Sequence, residues 1–163
     1  MIRQALTREI QHEGAQTNKM LERIPIDNFS WKPHERSREI GPLAIHIAQT
    51  PAWTSRILAA ADFDMLTFKR EIPEIKSADD LVKISETNIQ KAIDDLQKAS
   101  DEDMVTTWTF RRGDKAVFSL PRAAAIRTLA MNHLVHHRGQ LSVYLRLLNI
   151  PVPGMYGASA DEV

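Results

Sequence analysis

Asn132-His133-Leu134-Val135-His136-His137-Arg138-Gly139-Gln140 holds half of the six histidines of this chain. The residues on either side read as one long helix, with apolar or small residues at Ala125, Ile126, Leu129, Leu141, Tyr144, Leu145 and Leu148. With His133 set at zero and about 100° per residue, Ile126, Leu129, His137, Gln140 and Tyr144 fall within about 40° of it. This stripe carries large apolar residues, so it is expected to face the core. Two imidazoles one turn apart then point inward together, with Cβ atoms about 5–6 Å apart, a spacing at which both can hold one metal ion. The same spacing also describes two polar residues at the edge of a core. His136 lies about 60° off the stripe and suits a contact at a helix interface or behind the metal ligands. Arg138 and Gly139 are expected to face away, Arg138 for an ion pair with another helix or subunit and Gly139 for close helix approach.

The rest of the chain supplies helices for this one to pack on. A first helix is expected over about 2–23, with Leu6, Ile10, Thr17, Met20, Leu21 and Ile24 on one face and a stop at Pro25. Glu13 falls inside that face. It is the one acidic residue on an inner stripe, and so a candidate general base or extra ligand; its alternative is a pairing with a basic neighbour. A second helix starts between Ser37 and Gly41 and runs to about Ala61, with Leu43, His46, Gln49, Thr50, Trp53 and Ile57 inward and a kink at Pro51. Residues 63–76 read as a connection. Ser77 and Asp80 resemble a capping box opening a third helix over Ala78–Ala99. Residues 105–120 alternate as a β-hairpin about Arg111-Arg112-Gly113-Asp114, and Pro121 opens the fourth helix, which ends near Asn149 before Pro151. The tail from Pro151 to Val163 is an extended strap or partly mobile.

Composition narrows the function. A length of 163 residues suits a single domain over 1–163. Formal net charge is zero, from 21 basic and 21 acidic residues, which argues against a nucleic-acid partner. Cysteine is absent, so thiolate ligands, a cysteine nucleophile and disulfides are excluded. No stretch approaches the roughly 18 apolar residues of a membrane span, and no signal-peptide pattern opens the chain, so a cytoplasmic location without membrane attachment is the expectation.

Inward histidines on the second and fourth helices, His46, His133 and His137, make a three-histidine site plausible inside a four-helix bundle, with an open position for water or substrate. Gln49, Thr50, Trp53, Gln140 and Tyr144 share faces with these histidines and are candidates to line the pocket or to orient a ligand; for Gln140 an ordinary inter-helix hydrogen bond serves as well.

The run from Asn132 to Arg146, His133-Leu134-Val135-His136-His137-Arg138-Gly139-Gln140 at its centre, resembles the signature of the DinB-like family. Gly41-Pro42-Leu43-Ala44-Ile45-His46-Ile47-Ala48 resembles that family's second-helix motif, and Trp31-Lys32-Pro33-His34 and the stretch Pro151–Glu162 also match, with Ala158 where a proline is familiar. Residues 63–118 match only in layout. The resemblance implies an all-α, four-helix-bundle fold (DinB-like), here with a small β-hairpin before the last helix. It implies metal ligation by His46, His133 and His137, with His136 not a ligand, and a homodimer.

The family is related to bacillithiol- and mycothiol-dependent transferases. The implied function is therefore a metal-dependent enzyme passing a low-molecular-weight thiol to an electrophile, although no thiol-binding motif is recognisable in the sequence. Metal-assisted hydrolysis with Glu13 as base is the alternative enzymatic reading. A non-enzymatic protein of the stress or DNA-damage response, with a structural metal, is the third; the family name comes from damage-inducible expression. Three imidazoles suit a divalent ion, zinc or nickel among them.

Overall fold

Residues Ile2–Leu21 form α1, which buries Leu6, Ile10, Glu13, Gly14, Thr17, Met20 and Leu21 on one side. These positions recur every three or four residues, the spacing of one helix face. The computed structural model describes residues 1–162; Val163, the last residue of the expected tail, lies outside them.

The second helix is interrupted at Pro51, as expected, with Thr50 and Pro51 keeping right-handed helical dihedrals. It forms α2, Ile40–Gln49, and α3, Ala52–Ala59, separated at Thr50-Pro51. Pro51 has no N–H to give the preceding turn. The carbonyls near the break find other donors. Thr50 Oγ1 donates to His46 O at 2.6 Å, Thr50 N to Ile47 O at 3.2 Å, and Asn88 Nδ2 reaches across from the third bundle helix to Ala48 O at 3.1 Å. That helix, α4, spans Ala78–Lys98, and the backbone N–H of Ser77 donates to the Asp80 carboxylate at 2.9 Å, as the capping box requires.

Two elements were invisible to periodicity because they are too short to show any. Asp101–Val105 form α5, opened by a second capping box between Ser100 and Asp103. Asp62–Asp64 form β1, inside the stretch read as a connection. It pairs in parallel with β2, Thr107–Arg112, which pairs antiparallel with β3, Lys115–Pro121, so the hairpin is part of a three-stranded sheet in the order β1-β2-β3. Asp64 ties the sheet together. Its carboxylate accepts the N–H groups of Leu66 at 2.9 Å and Gly113 at 3.0 Å, and Arg111 at 2.8 Å. Gly113 carries the hairpin turn at φ 60°, which favours glycine.

From Arg122 to Leu147 the chain is helical without a gap: α6, Arg122–Ile126, a π-helical segment, Arg127–Asn132, and α7, His133–Leu147. The C-terminal end is closed by a Schellman motif. Asn149, at φ 58°, gives its N–H to Arg146 O at 3.1 Å, and Ile150 gives its N–H to Leu145 O at 3.0 Å. The tail is a strap pinned to the bundle: Asp161 bonds Arg146 and the Val152 N–H, and Glu162 bonds the Gly154 N–H.

The fold is thus mostly helical with a small sheet, and its four long helical stretches are α1, α2–α3, α4 and α6–α7. Their apolar residues gather in two clusters. One holds Met20, Leu21, Leu43, Ile47, Leu81, Leu134, Leu141 and Leu145; the other holds Leu6, Ile10, Ile57, Ala92, Leu96, Met104, Trp108 and Ile126. Between them every helix contributes polar residues: Glu13 and Thr17 from α1, Thr50 and Thr54 at the break, Ser85 and Asn88 from α4, and Arg138 from α7. This middle layer carries the histidines.

Asn88→Ala leaves the Ala48 carbonyl without its donor at the helix break. The expected loss is about 1 kcal/mol, read by chemical denaturation; an unchanged midpoint and slope would show that water replaces the amide.

Candidate metal centre

The π segment immediately before His133 resets the face of the last helix. An i→i+5 turn winds more residues per turn than an α-helix, so a phase counted from Ile126 does not carry through to His133. Beyond the segment the buried line is Leu134, Arg138, Leu141 and Leu145. His133 and His137 lie beside that line, half-buried, toward α2, which brings His46. Two expectations are corrected here. The histidine stripe flanks the core rather than facing its centre. Arg138, expected to point outward, is buried with 2% of its surface exposed.

The three histidines converge. Each offers a ring nitrogen, and these atoms all lie within 4.8 Å of one another. Nε2 of His133 is 3.3 Å from Nε2 of His46 and 2.8 Å from Nε2 of His137. Ligands about 2.05 Å from a tetrahedral ion stand about 3.3 Å apart, so the longer separation fits as it is and the shorter one needs to open slightly.

Hydrogen bonding decides which ring atoms carry the lone pairs. Nδ1 of His137 lies 2.7 Å from Gln140 Oε1, an acceptor, so its proton sits on that side and Nε2 is left bare. The backbone of Leu129 acts on the His133 ring in favour of its protonated form, against burial. Nε2 of His133 and the bare Nε2 of His137 can then face one cation, or the first can donate to the second. An added proton is disfavoured, because burial lowers the pKa of both rings. His46 is depressed further, to about 3 from the usual 6.5, first by burial and then by the charges of His137, Arg38, His133 and Arg70. Three neutral imidazoles around one point form a donor set able to hold a metal ion.

A cavity of about 640 Å³ opens beside His46, walled by Trp53, Phe68, Arg56, Arg70 and Asn88 among others. Gln49 is on this wall but turns from the histidines: its Oε1 accepts from Arg70 Nε at 2.8 Å and its Nε2 donates to Glu71 O at 2.9 Å. Thr50 serves the helix break. Trp53 packs edge-on against Phe63, centroids 4.7 Å apart. Tyr144 supports from a distance, its hydroxyl donating to Arg38 O at 3.1 Å. His136 is exposed and lies edge-on to His137, in a different groove with Glu9, Glu13 and Tyr156.

Glu13 also belongs elsewhere. Its Oε2 accepts from Arg138 Nη2 at 2.6 Å and from the Tyr156 hydroxyl at 2.8 Å, and it is not among the groups that converge with the histidines. The pairing with a basic neighbour is the reading that holds, and the neighbour is Arg138. Gly139 is exposed with nothing within 4 Å of where a Cβ would stand, so no helix of this chain approaches it closely. Arg70 and Tyr156 escaped the sequence reading, since residues 65–76 and the tail have no periodicity that points them inward, and Arg56 did so because it stands beside the inward stripe of its helix and not on it.

A family model described as the DinB family matches residues 1–163. The chain belongs to the DinB family. It is 29% identical over 132 residues to the Bacillus subtilis protein YjoA, covering 80% of each. Among solved structures it resembles that of the DinB-like YjoA at a TM-score of 0.72 and 22% identity, covering 97% of this chain and 98% of that one. A DinB-like protein from Bacillus cereus matches at 0.69 and 25% identity, covering 90% and 92%. These DinB-like structures share the helical architecture described above. Among the described residues no helix is long and apolar enough to cross a membrane.

Two outcomes follow for this DinB-family centre. Gln140→Ala frees the His137 ring and lowers metal affinity by roughly tenfold, measured by competition with a chelator. Acid destabilises the metal-free protein. The unfolded chain takes up protons on these imidazoles from pH 6.5 downward, while the folded chain takes them up only at lower pH. Stability conferred by the neutral rings is full above pH 6.5 and declines as pH falls toward the depressed folded values. The melting temperature therefore drops between about pH 7 and about pH 5, a window above most carboxylate titration, and His46→Gln flattens the decline.

Proposed function

We propose that this protein is a metal-dependent enzyme, built as one domain, in which His46, His133 and His137 hold a divalent ion, zinc or nickel. Its reaction in this reading is transfer of a low-molecular-weight thiol to an electrophilic small molecule. The observation that carries the proposal is the open side of the histidine cluster: the cavity beside His46 leaves room for a ligand from outside the chain. A purely structural ion would be expected to have its coordination closed by protein groups.

A divalent ion at such a site lowers the pKa of a thiol, making the sulfur nucleophilic near neutral pH. In the transfer a sulfur–carbon bond forms, the bond from carbon to the leaving group breaks with its electron pair going to that group, and the thiol proton passes to solvent. The chain's own residues bind and orient. Gln140 fixes the His137 ring by accepting from Nδ1. Trp53 and Phe68 give the cavity an apolar wall that takes the body of a substrate and displaces water.

Kinship with the DinB family supports the thiol reading over hydrolysis. Hydrolysis needs a base beside the attacking water, and Glu13, the candidate for that role, is engaged by Arg138 and Tyr156. The reading extends to a cytoplasmic homodimer. The bare surface around Gly139 is consistent with an interface, whereas Arg138 is consumed inside the bundle.

Zinc- or nickel-loaded protein, assayed with bacillithiol or glutathione and 1-chloro-2,4-dinitrobenzene, should consume thiol in a metal-dependent way, and His133→Ala should abolish both metal binding and turnover. Absence of turnover with every thiol removes the reading. Glu13→Gln should keep metal and turnover but lose about 3 kcal/mol of stability, because Arg138 is left as a buried charge without its partner. Loss of turnover with full stability in that variant would return Glu13 to the reaction.

A further inference from the structure

The cavity beside His46 carries more positive charge than its own residues neutralise. Arg56, Lys69 and Arg70 line it against a single acidic residue, Glu71. Elsewhere Arg111, Arg122, Arg127, Arg138 and Arg146 each meet a carboxylate, whereas, among the described residues, Arg3, Arg8, Arg23, Arg36, Arg38 and Arg112, outside this cavity, do not. Among the described residues neither Arg56 nor Arg70 does.

Arg56 is half-buried and its guanidinium lies 5.4 Å from the Trp53 ring centre and 4.9 Å from that of Phe68. The rings hold the plane of the group in place without satisfying its N–H donors. Arg70 is set by one hydrogen bond from its Nε to Gln49, which leaves the two terminal nitrogens of its fork free. The Gln49 amide is itself held by the Glu71 carbonyl, so Arg70 is positioned through a chain of polar contacts rather than left to sweep through solvent.

These cations have a cost at this location. They stand beside a site suited to a metal cation, and His46 feels the charges of both Arg38 and Arg70. Positive side chains here weaken metal binding unless an anion enters with the substrate. Guanidinium forks that lack a carboxylate are matched by an oxyanion from outside.

We propose that Arg56 and Arg70 form an oxyanion subsite, binding a carboxylate or phosphate on the small-molecule substrate whose apolar body lies against Trp53 and Phe68. This rests on the thiol-transfer reading only in placing the reacting end of that molecule at the histidines; the subsite itself is a property of the cavity wall. Arg56 and Arg70 are binding residues, and they determine which thiols or electrophiles are accepted.

The test is calorimetric titration with two pairs of probes. Benzoate and benzamide, with inorganic phosphate as a third arm, report on the subsite without any thiol. 3-Mercaptopropionate and 2-mercaptoethanol, added to cobalt-loaded protein, report on the subsite together with the metal through the sulfur-to-cobalt absorption band. Benzoate should bind roughly tenfold more tightly than benzamide, and 3-mercaptopropionate roughly tenfold more tightly than 2-mercaptoethanol. Phosphate binding stronger than benzoate would assign the subsite to phosphorylated ligands, and the reverse to carboxylates. R56Q and R70Q should each shrink the preferences to about twofold or less, while metal affinity holds or rises and 2-mercaptoethanol still gives the cobalt band. Equal affinity within both pairs, or preferences that survive in both variants, overturns the proposal. If the cobalt band never appears with any thiol while benzoate is still preferred, the thiol reading fails and the oxyanion subsite stands.

Discussion

The buried pair between Arg138 on the last helix and Glu13 on the first sets the rotation of the element that carries two of the three histidines. Arg138 has few alternatives. Its guanidinium is buried, and Glu13, the Glu13 carbonyl, Thr17 and Tyr156 supply its acceptors. Pulling it away would strand a charge in the middle of the bundle, at a cost of about 3–5 kcal/mol. With residue 138 locked toward α1, residues 133 and 137 must lie on the flank that meets α2. The ion pair is a costly way to gain stability, and well-packed apolar residues of equal volume often match its energy. They would not specify the same rotation, since an apolar stripe tolerates small slips that a fork on a carboxylate does not.

The break at Thr50-Pro51 does the matching work on the second helix. The regular hydrogen bonding stops at Thr50, directly after the turn that bears His46, and the cavity wall runs along both sides of the interruption from Gln49 to Arg56. Thr50 and Asn88 satisfy carbonyls near the interruption, so the opening does not leave them buried and bare. The middle layer of the bundle is polar on every helix for one connected reason: it must accommodate a helix break, an ion pair and three imidazoles between two apolar clusters.

Much of this was legible in the sequence. The four long helices, the Ser77 capping box, the disruption at Pro51 and the alternation of the hairpin follow from local rules, and the histidines that meet are the three picked out by helix faces and family motifs. The failures have local causes too. The π segment at 127–132 shifts the helical phase without any residue that announces it, so a core face assigned from Ile126 and Leu129 puts Arg138 outside when it is buried; Gly139 does face away, but meets no helix of this chain. Glu13 is on an inner face, as its spacing indicates, but that face meets α7 at Arg138 and not the histidines. β1 and α5 are shorter than any period that could reveal them. Arg56 and Arg70 come together because the segment after β1 folds back over α2 and α3, a long-range event with no signature in either stretch alone.

The hydroxyl of Tyr156 meets Glu13 across a sequence separation of 143 residues, and Arg138 meets it across 125. Contacts this distant form only after the helices between them have been made. Until Arg138 has emerged from the ribosome, Glu13 has no counter-charge to receive it, although α4, which packs more extensively on α1 than α7 does, can cover the apolar face of α1 earlier. Closure of the polar layer is thus a late event, one that follows the docking of α1 on α4 and turns an already collapsed pair of helices into a registered bundle.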